Sequence, residues 1–414
     1  MFRLPAIFFA VLLTCPGLYA QRNISGRVID VKSGEPLAGA SVFISNTSKG
    51  TVSDASGAFS LTDLPLGQQE LVISSIGYAT NVYSFSAESL PLKVKVEMQV
   101  KVRELENVTV EPSFIEGWDK WGSVFTENFI GLTPNASKCR IKNYKSIRFR
   151  YFRKTNRVIA WSDEPLVIEN KALGYTLRYQ LENFEVKFSE NITTFSGYPF
   201  FEDHHTEGAK MKNRWREARE KAYTGSMMQF MRSLYHNTLA ADGFEVRRMK
   251  RRPNYEKQRV KEIYHPAQLT GTVRIQVGVK PGGSRVILPP DPNAVDSSEY
   301  YNRVLQEEDV IDSYYLGILT AENLIIQKEG AYQVLWFEDY LYVTCLKEKE
   351  DPSYLDYHWE RRAPTWQSSH IWLSSGTPIV IDANGSYSPP QEVFSQSYWS
   401  WSEKIAELLP IDYK

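Results

Sequence analysis

The chain has 414 residues, 42% of them hydrophobic, 13% aromatic and 23% charged, with a formal net charge of -1 at pH 7. This is globular material, long enough for two domains, and 48 Lys+Arg against 49 Asp+Glu exclude a chain built as a nucleic-acid binder or an acidic solvating tail. Three cysteines are too few for a disulfide-stapled miniprotein or a cysteine-rich zinc module.

Residues 1–20 read as a signal peptide for secretion. Arg3 gives a positive start, residues 7–13 form an unbroken apolar run, and Ala20 closes the segment before the polar Gln21-Arg22. The run is too short for a stop-transfer helix, and no later segment is long and apolar enough to span a bilayer. The mature chain is therefore expected to carry no transmembrane helix and to reside in the periplasm or at the outer-membrane surface. Leu12-Leu13-Thr14-Cys15 approaches a lipobox, but Thr14 is bulkier than the usual small residue and Pro16 follows, which argues against a lipid on Cys15. Cys139 and Cys345 remain after cleavage. An oxidising compartment permits their disulfide; the apolar run at 340–345 favours two separate buried thiols.

Residues 21–103 read as a β-sandwich. Short alternating runs broken by Gly, Pro, Asn and Asp fall at 23–30, 40–45, 57–61, 70–75, 78–85 and 92–102. In the last of them Val94, Val96, Met98, Val100 and Val102 alternate with charged or polar residues, so one face is expected to be buried and the other wet. Gly26-Arg-Val-Ile-Asp30, the stretch from Gly34 to Val42, Gly50-Thr-Val-Ser-Asp54, Gly57-Ala-Phe59 and Ile76-Gly-Tyr78 together resemble the carboxypeptidase-regulatory-like domain. The resemblance implies a transthyretin-like sandwich of the kind common in secreted and outer-membrane proteins of Bacteroidetes-type bacteria. It implies an accessory folding or docking module, since that domain carries no peptidase residues. The stretch itself has no His and no Cys, hence no nucleophile–base pair and no evident zinc site.

Residues 104–117 mix charge with Val108, Val110, Pro112 and Gly117 and read as a linker. The segment 105–110 resembles the piece that joins this sandwich to the plug of TonB-dependent transporters. The remaining chain lacks the serial alternating strands of a large barrel, so the transporter reading is rejected.

Residues 118–414 read as a larger, aromatic-rich α+β domain that is mostly β. All 10 tryptophans lie here. A hairpin is expected at 146–161, an alternating strand at 175–181 and another through Val273, Ile275, Val277 and Val279. Helices are expected at 209–221, 226–241 and 398–408, with Gly243 ending the second. Asn384-Gly385 marks a hairpin turn. Segments around Cys139, Glu164 to Tyr175, Tyr223 to Ser226 and the C-terminus resemble uncharacterised exported proteins of the same bacteria, which implies no biochemical role.

Candidate chemistry is sparse. His204-His205-Thr206-Glu207 contains the His-x-x-Glu spacing of a metallocarboxypeptidase, but no later histidine stands where a third ligand belongs. There is no nucleophile elbow and no phosphate loop. Asp291, Asn293 and Asp296 lack the Gly and terminal Glu of a calcium loop. Carboxylate groups such as Glu202/Asp203 or Glu307/Glu308/Asp309 are read as charged faces. Arg247, Arg248, Lys250, Arg251 and Arg252 form a basic cluster that is either a patch for an anionic ligand or an exposed strand edge protected by its charge. Trp359, Trp366, Trp372, Trp399 and Trp401 could stack on sugar rings or anchor a core.

These observations fit an exported cell-envelope protein of mainly β architecture, a transthyretin-like sandwich followed by an α+β domain. It is expected to be no enzyme, to need no cofactor and to act as a binding or docking module for an envelope protein partner. The alternatives are a carbohydrate-binding protein acting through its aromatic domain and, more remotely, a zinc carboxypeptidase-like hydrolase.

Overall fold

The computed structural model describes residues 22–101, 113–204, 208–264 and 297–413. The expected signal peptide with Cys15, residues 104–112 of the expected linker, His205, Glu207, the expected strand at 273–279 and the Asp291–Asp296 stretch lie outside the described residues.

The first strands are β1 (Ile24–Asp30), β2 (Ser41–Ile44), β3 (Gly50–Val52), β4 (Ala58–Leu61), β5 (Gln68–Ser74), β6 (Asn81–Ser86) and β7 (Leu92–Met98). They form two facing sheets, β4-β1-β7 and β3-β2-β5-β6, which bury Ile24, Val28, Val42, Ile44, Leu71 and Ile73 between them. The sandwich expected from the sequence is therefore present. Its last strand is shorter than expected. β7 pairs with β1 as far as Met98, opposite Asp30. There β1 turns away, its Asp30 carboxylate accepting from the Lys32 and Ser33 amides. Left without that partner, Val100 makes one isolated bridge to Tyr78 and is exposed.

A second β unit follows: β8 (Ser113–Glu116), α1 (Trp118–Phe129), β9 (Cys139–Ile141), β10 (Ile147–Phe152), β11 (Arg157–Ser162), β12 (Leu166–Asn170), β13 (Tyr175–Lys187) and β14 (Ile192–Asp203). These strands make one seven-stranded sheet. β13 is long enough to pair with β12 over its first half and β11 over its last, while β14 runs along its other side. Phe125 and Phe129 of α1 bring the aromatic core together against Phe149, Tyr179 and Phe184.

The third unit begins with α2 (Ala209–Tyr223), α3 (Met227–His236), α4 (Leu239–Asp242), β15 (Phe244–Pro253), α5 (Tyr255–Ile263), α6 (Ser297–Gln306), β16 (Val310–Ile318) and α7 (Ala321–Leu324). It continues with β17 (Ile325–Glu329), β18 (Tyr332–Leu335), β19 (Tyr340–Lys349), α8 (Pro352–Tyr357), β20 (Trp366–Leu373), β21 (Ile379–Asp382), β22 (Tyr387–Ser388), β23 (Val393–Ser397) and α9 (Tyr398–Ser402). Two sheets, β16-β15-β19-β20-β23 and β17-β18-β21-β22, share a core with α3. The stretch after the linker thus carries two separate hydrophobic cores.

Three local expectations are corrected. The helix expected at 226–241 is two, because Asn237 sits at φ +57 and ends α3; Gly243 ends α4. At Asn384-Gly385 the turn is not the two-residue hairpin form. Gly385 donates to the Asp382 carbonyl and Asp382 Oδ1 accepts from the Asn384 and Ser386 amides, so the carboxylate organises a longer loop. The C-terminal helix stops at Ser402.

The three units touch closely. Thr47 bridges Phe200 of β14, and a Cβ placed on Gly50 would fall 2.5 Å from the Phe200 ring. A Cβ on Gly67, at φ +86, would fall 2.5 Å from Asp382 Oδ2. Only glycine allows both approaches.

Candidate functional site

The basic cluster lies on β15, which is paired with β16 on one side and β19 on the other. At Arg247 and Arg248 it is therefore not the exposed edge considered from the sequence; β19 stops opposite Met249, and Lys250, Arg251 and Arg252 pair with β16 alone. Asp312 holds Arg251 bidentately at 2.7 Å. Arg248 pairs with Glu338, and Lys250 stands 4.0 Å from Asp339. Arg247 pairs with Glu245 at 2.7 Å and donates to the Leu316 carbonyl. Arg252 is exposed. Carboxylates this close cancel much of the local positive field.

The tryptophans divide by burial. Trp399 packs on Phe230 and donates to the Gly225 carbonyl, and Trp401 packs on Tyr354 and Tyr398. Both are buried, and a ring at that depth offers no face to a sugar, so these two leave the set of stacking candidates. Trp372 is half-buried between Tyr340 and Phe394 on the outer face of the five-stranded sheet. Trp366 is exposed beneath Lys349. Trp359 is 92% exposed.

His204 Nε2 lies 2.8 Å from Thr176 Oγ1 and its ring packs on Trp215. Among the described residues no three His, Cys, Asp or Glu side chains are grouped as metal ligands. Cys139 and Cys345 are free thiols; burial, aided by the Glu407 charge, pushes the Cys139 thiol up to about 12, so it is inert at neutral pH.

A cleft of about 130 Å³ lies where the second and third units meet, lined by Lys221, Glu348, Asp351, Trp401, Glu403 and Glu407 among others. Its carboxylates are occupied by fixed donors. Glu407 accepts from Thr133 and Asn135, Glu403 from the Met227 amide, and Glu348 from Gln367. Burial raises all three, Glu403 to about 7. These side chains form a seam of buried carboxyl groups between two β units; they are not arranged as a free acid–base pair.

The sequence gives little sign of the edge strand β16. Its residues Val310–Tyr314 pair in step with β15, after which the register jumps to Ile318 opposite Arg247. Residues 315–317 therefore bulge outward, and Leu316 is 91% exposed. Val310, Ile311, Tyr314, Tyr315 and Ile318 are exposed as well. No strand pairs with the other side of β16 among the described residues. The run V-I-D-S-Y-Y-L-G-I has strand composition but no alternation, so pattern reading passes over it.

Residues 24–110 match the family model of the CarboxypepD_reg-like domain, in agreement with the sequence motifs. A comparison with curated proteins finds no match. Among solved structures, a type II cohesin–X-dockerin complex from Acetivibrio cellulolyticus shares 21% identity over 19% of this chain and 57% of that chain, with a TM-score of 0.17. The match thus spans little more than half of that chain. The Bacillus anthracis TIE protein shares 10% identity over 45% of this chain and 32% of that one, TM-score 0.16. A putative membrane-associated protein of unknown function from Bacteroides fragilis shares 10% over 87% and 93%, TM-score 0.15. Scores this low establish no common overall fold.

Proposed function

We propose that this is an exported cell-envelope protein that acts, without catalysis, as a docking module for a protein partner. The carboxypeptidase-regulatory-like domain is compatible with a binding module, and the reading of residues 1–20 as a signal peptide supports export. The observation that carries the docking reading is the exposed apolar edge of β16. Natural sheets usually protect such an edge with Lys, Pro, short length or a bulge. β16 has nine residues, no Lys and no Pro, and its only charge, Asp312, is neutralised by Arg251. Its bulge, instead of hiding the edge, turns Leu316 outward. An edge of this kind suits a partner that adds main-chain hydrogen bonds and apolar contacts.

Crosslinking in intact cells, followed by recovery from the envelope fraction, tests this. The wild type is expected to yield one stoichiometric protein partner, and Leu316→Lys is expected to lose it while melting at the same temperature. An unchanged crosslink in Leu316→Lys would remove β16 from the reading.

A carbohydrate-binding reading keeps one specific support: Trp372, Tyr340 and Phe394 form a row on the outer face of the five-stranded sheet, with Trp366 on the same strand. It expects an oligosaccharide to quench tryptophan emission and Trp366→Ala to lessen the quenching.

A further inference from the structure

β23 passes into α9 through Ser397, the last residue of the strand and the N-cap of the helix. Its backbone stands at φ +69, ψ -132, a region that only glycine enters without strain. Among the described residues, the other non-glycine positions with positive φ carry Asn or Asp, Trp359 excepted. The turn is held in place by its surroundings: Ser369 Oγ accepts from the buried Trp399 amide, and the Ser397 carbonyl accepts from Ser400 Oγ. A strained strand-to-helix turn with a serine at its apex is the backbone form of a nucleophile elbow. The sequence hides it, because Ser395 and Trp399 stand where that motif has glycines.

The serine faces a base. Its Oγ lies 3.2 Å from Nδ1 of His370 on the neighbouring strand β20, and Nε2 of the same ring lies 3.1 Å from Tyr314 Oη. The ring packs on Tyr314 and Tyr342. Burial, with the Arg251 charge and against that of Asp312, holds His370 below its ordinary value, so the imidazole is neutral at neutral pH. In the tautomer that carries its proton on Nε2, donated to Tyr314 Oη, Nδ1 is the acceptor that a serine hydroxyl needs to become a nucleophile. Asp312 holds Arg251 bidentately, so the nearest cation is already neutralised and does not favour an anionic group donor. The chemistry that remains suits an uncharged electrophile.

We propose that Ser397 is an acylation site, its hydroxyl taking the acyl group of an uncharged carboxylic ester with His370 as the proton acceptor. Ser397 Oγ forms a bond to the ester carbonyl carbon while its proton passes to His370 Nδ1. The bond from that carbon to the leaving oxygen then breaks, and Nδ1 returns the proton to the departing alkoxide. The products are a Ser397 ester and a free alcohol, and no oxidant, reductant or further co-reactant is required. One ester is consumed per chain, so the step modifies the chain and is compatible with a docking module that turns over no substrate. It goes beyond the docking reading and does not involve the bulge at Leu316.

The test uses the full chain with an alkyl fluorophosphonate, which marks activated serines, and with p-nitrophenyl esters. A fluorophosphonate adduct is expected on the Ser397 peptide. With p-nitrophenyl acetate, an acetyl group is expected there with release of one equivalent of p-nitrophenolate. Ser397→Gly removes the hydroxyl and relieves the backbone strain, so it should melt no lower than the wild type and release p-nitrophenolate only at the background rate. His370→Gln should slow labelling about a hundredfold. The wild-type rate should rise with pH through a midpoint below 6.5, the ordinary histidine value, and then level off; His370→Gln should lack that inflection. A hydroxyl that served only the fold would show neither effect. Comparing p-nitrophenyl acetate with p-nitrophenyl decanoate separates a short acyl donor, such as an acetylated sugar, from a lipid ester. An unlabelled Ser397 in the wild type, or equal labelling in His370→Gln, would overturn the proposal and leave the docking reading, which crosslinking tests on its own. Leu316→Lys, which breaks the docking edge, should be labelled as fully as the wild type. Release that continued past one equivalent and still required Ser397 would support the pair and overturn the non-catalytic part of the docking reading.

Discussion

Burial holds Glu403 at about 7, well above the ordinary carboxylate range, and the nearby Glu407 charge adds to the rise. The native state therefore binds a proton that the unfolded chain has already released. Between the unfolded value of 4.5 and about 7, stability falls as pH rises. The full effect is at most about 3 kcal/mol, and Glu407 and Glu348 act in the same direction. Lys404 lies outside this window: burial lowers it to about 8, so its own contribution changes only above that pH. Glu403→Gln keeps an oxygen for the Met227 amide and removes the titration. Its melting temperature should exceed that of the wild type at pH 8 and approach it at pH 5. Parallel melting curves for the two proteins from pH 5 to 8 would show that the seam does not titrate with folding.

At the next level up, the break between α3 and α4 depends on one residue. Asn237, at φ +57, lets the chain turn so that Thr238 can donate to the Ser233 carbonyl. Asn237→Ala should cost about 1–2 kcal/mol, whereas Asn237→Gly should be close to neutral; chemical denaturation of the two variants checks the difference. Sequence reading misses this break because apolar spacing runs on past Asn237, and spacing records only which face is buried. It succeeds in the sandwich for the opposite reason: there each strand alternates, and Gly or Asp stands at the turns. It also finds the 147–162 hairpin and α2. β16 escapes because an edge strand wet on both faces carries no alternation, and its bulge shifts the register. Trp359 is named from the sequence only as an aromatic that could stack on sugar or anchor a core; its left-handed backbone is visible only once α8 is known to end at Tyr357 with His358 as its cap. Four of the basic-cluster residues looked free because their acidic partners Glu338, Asp339 and Asp312 are distant in sequence, with Glu245 alone nearby.

Across the whole molecule, the residues after α9 tie the three units together. Ile405 and Ala406 donate to the Phe129 and Ile130 carbonyls at the end of α1, and the Ala406 carbonyl accepts from the buried Asn170. Ile411 then donates to the Asn46 carbonyl of the sandwich at 2.7 Å, and Asp412 accepts from the Ser48 hydroxyl, also at 2.7 Å. From the third unit, Arg232 donates to the carbonyls of Ile411, Tyr413 and Asn384. One short tail thus crosses every boundary, and its share of the interdomain hydrogen bonds is open to a simple cut. Removing residues 411–414 takes away the Asn46 and Ser48 contacts, two of the three Arg232 acceptors and the Tyr413 ring at the margin of the second unit's core, while leaving the buried residues of each core in place. The sandwich would keep its main-chain bonds to β14, Asn46 N–H to the Pro199 carbonyl and Phe201 N–H to the Thr47 carbonyl, and its side-chain bonds to the third unit through Tyr332 and Asn384, so the cut weakens the coupling without abolishing it. Scanning calorimetry is expected to show a lower and broader transition in the truncated chain, the sandwich melting ahead of the rest, and a single sharper transition in the intact one. Arg232→Ala should move partway in the same direction. If the truncated chain still melts in one step at the original temperature, coupling resides in the glycine-mediated approaches at Gly50 and Gly67, and the tail only follows a surface that the sheets have already formed.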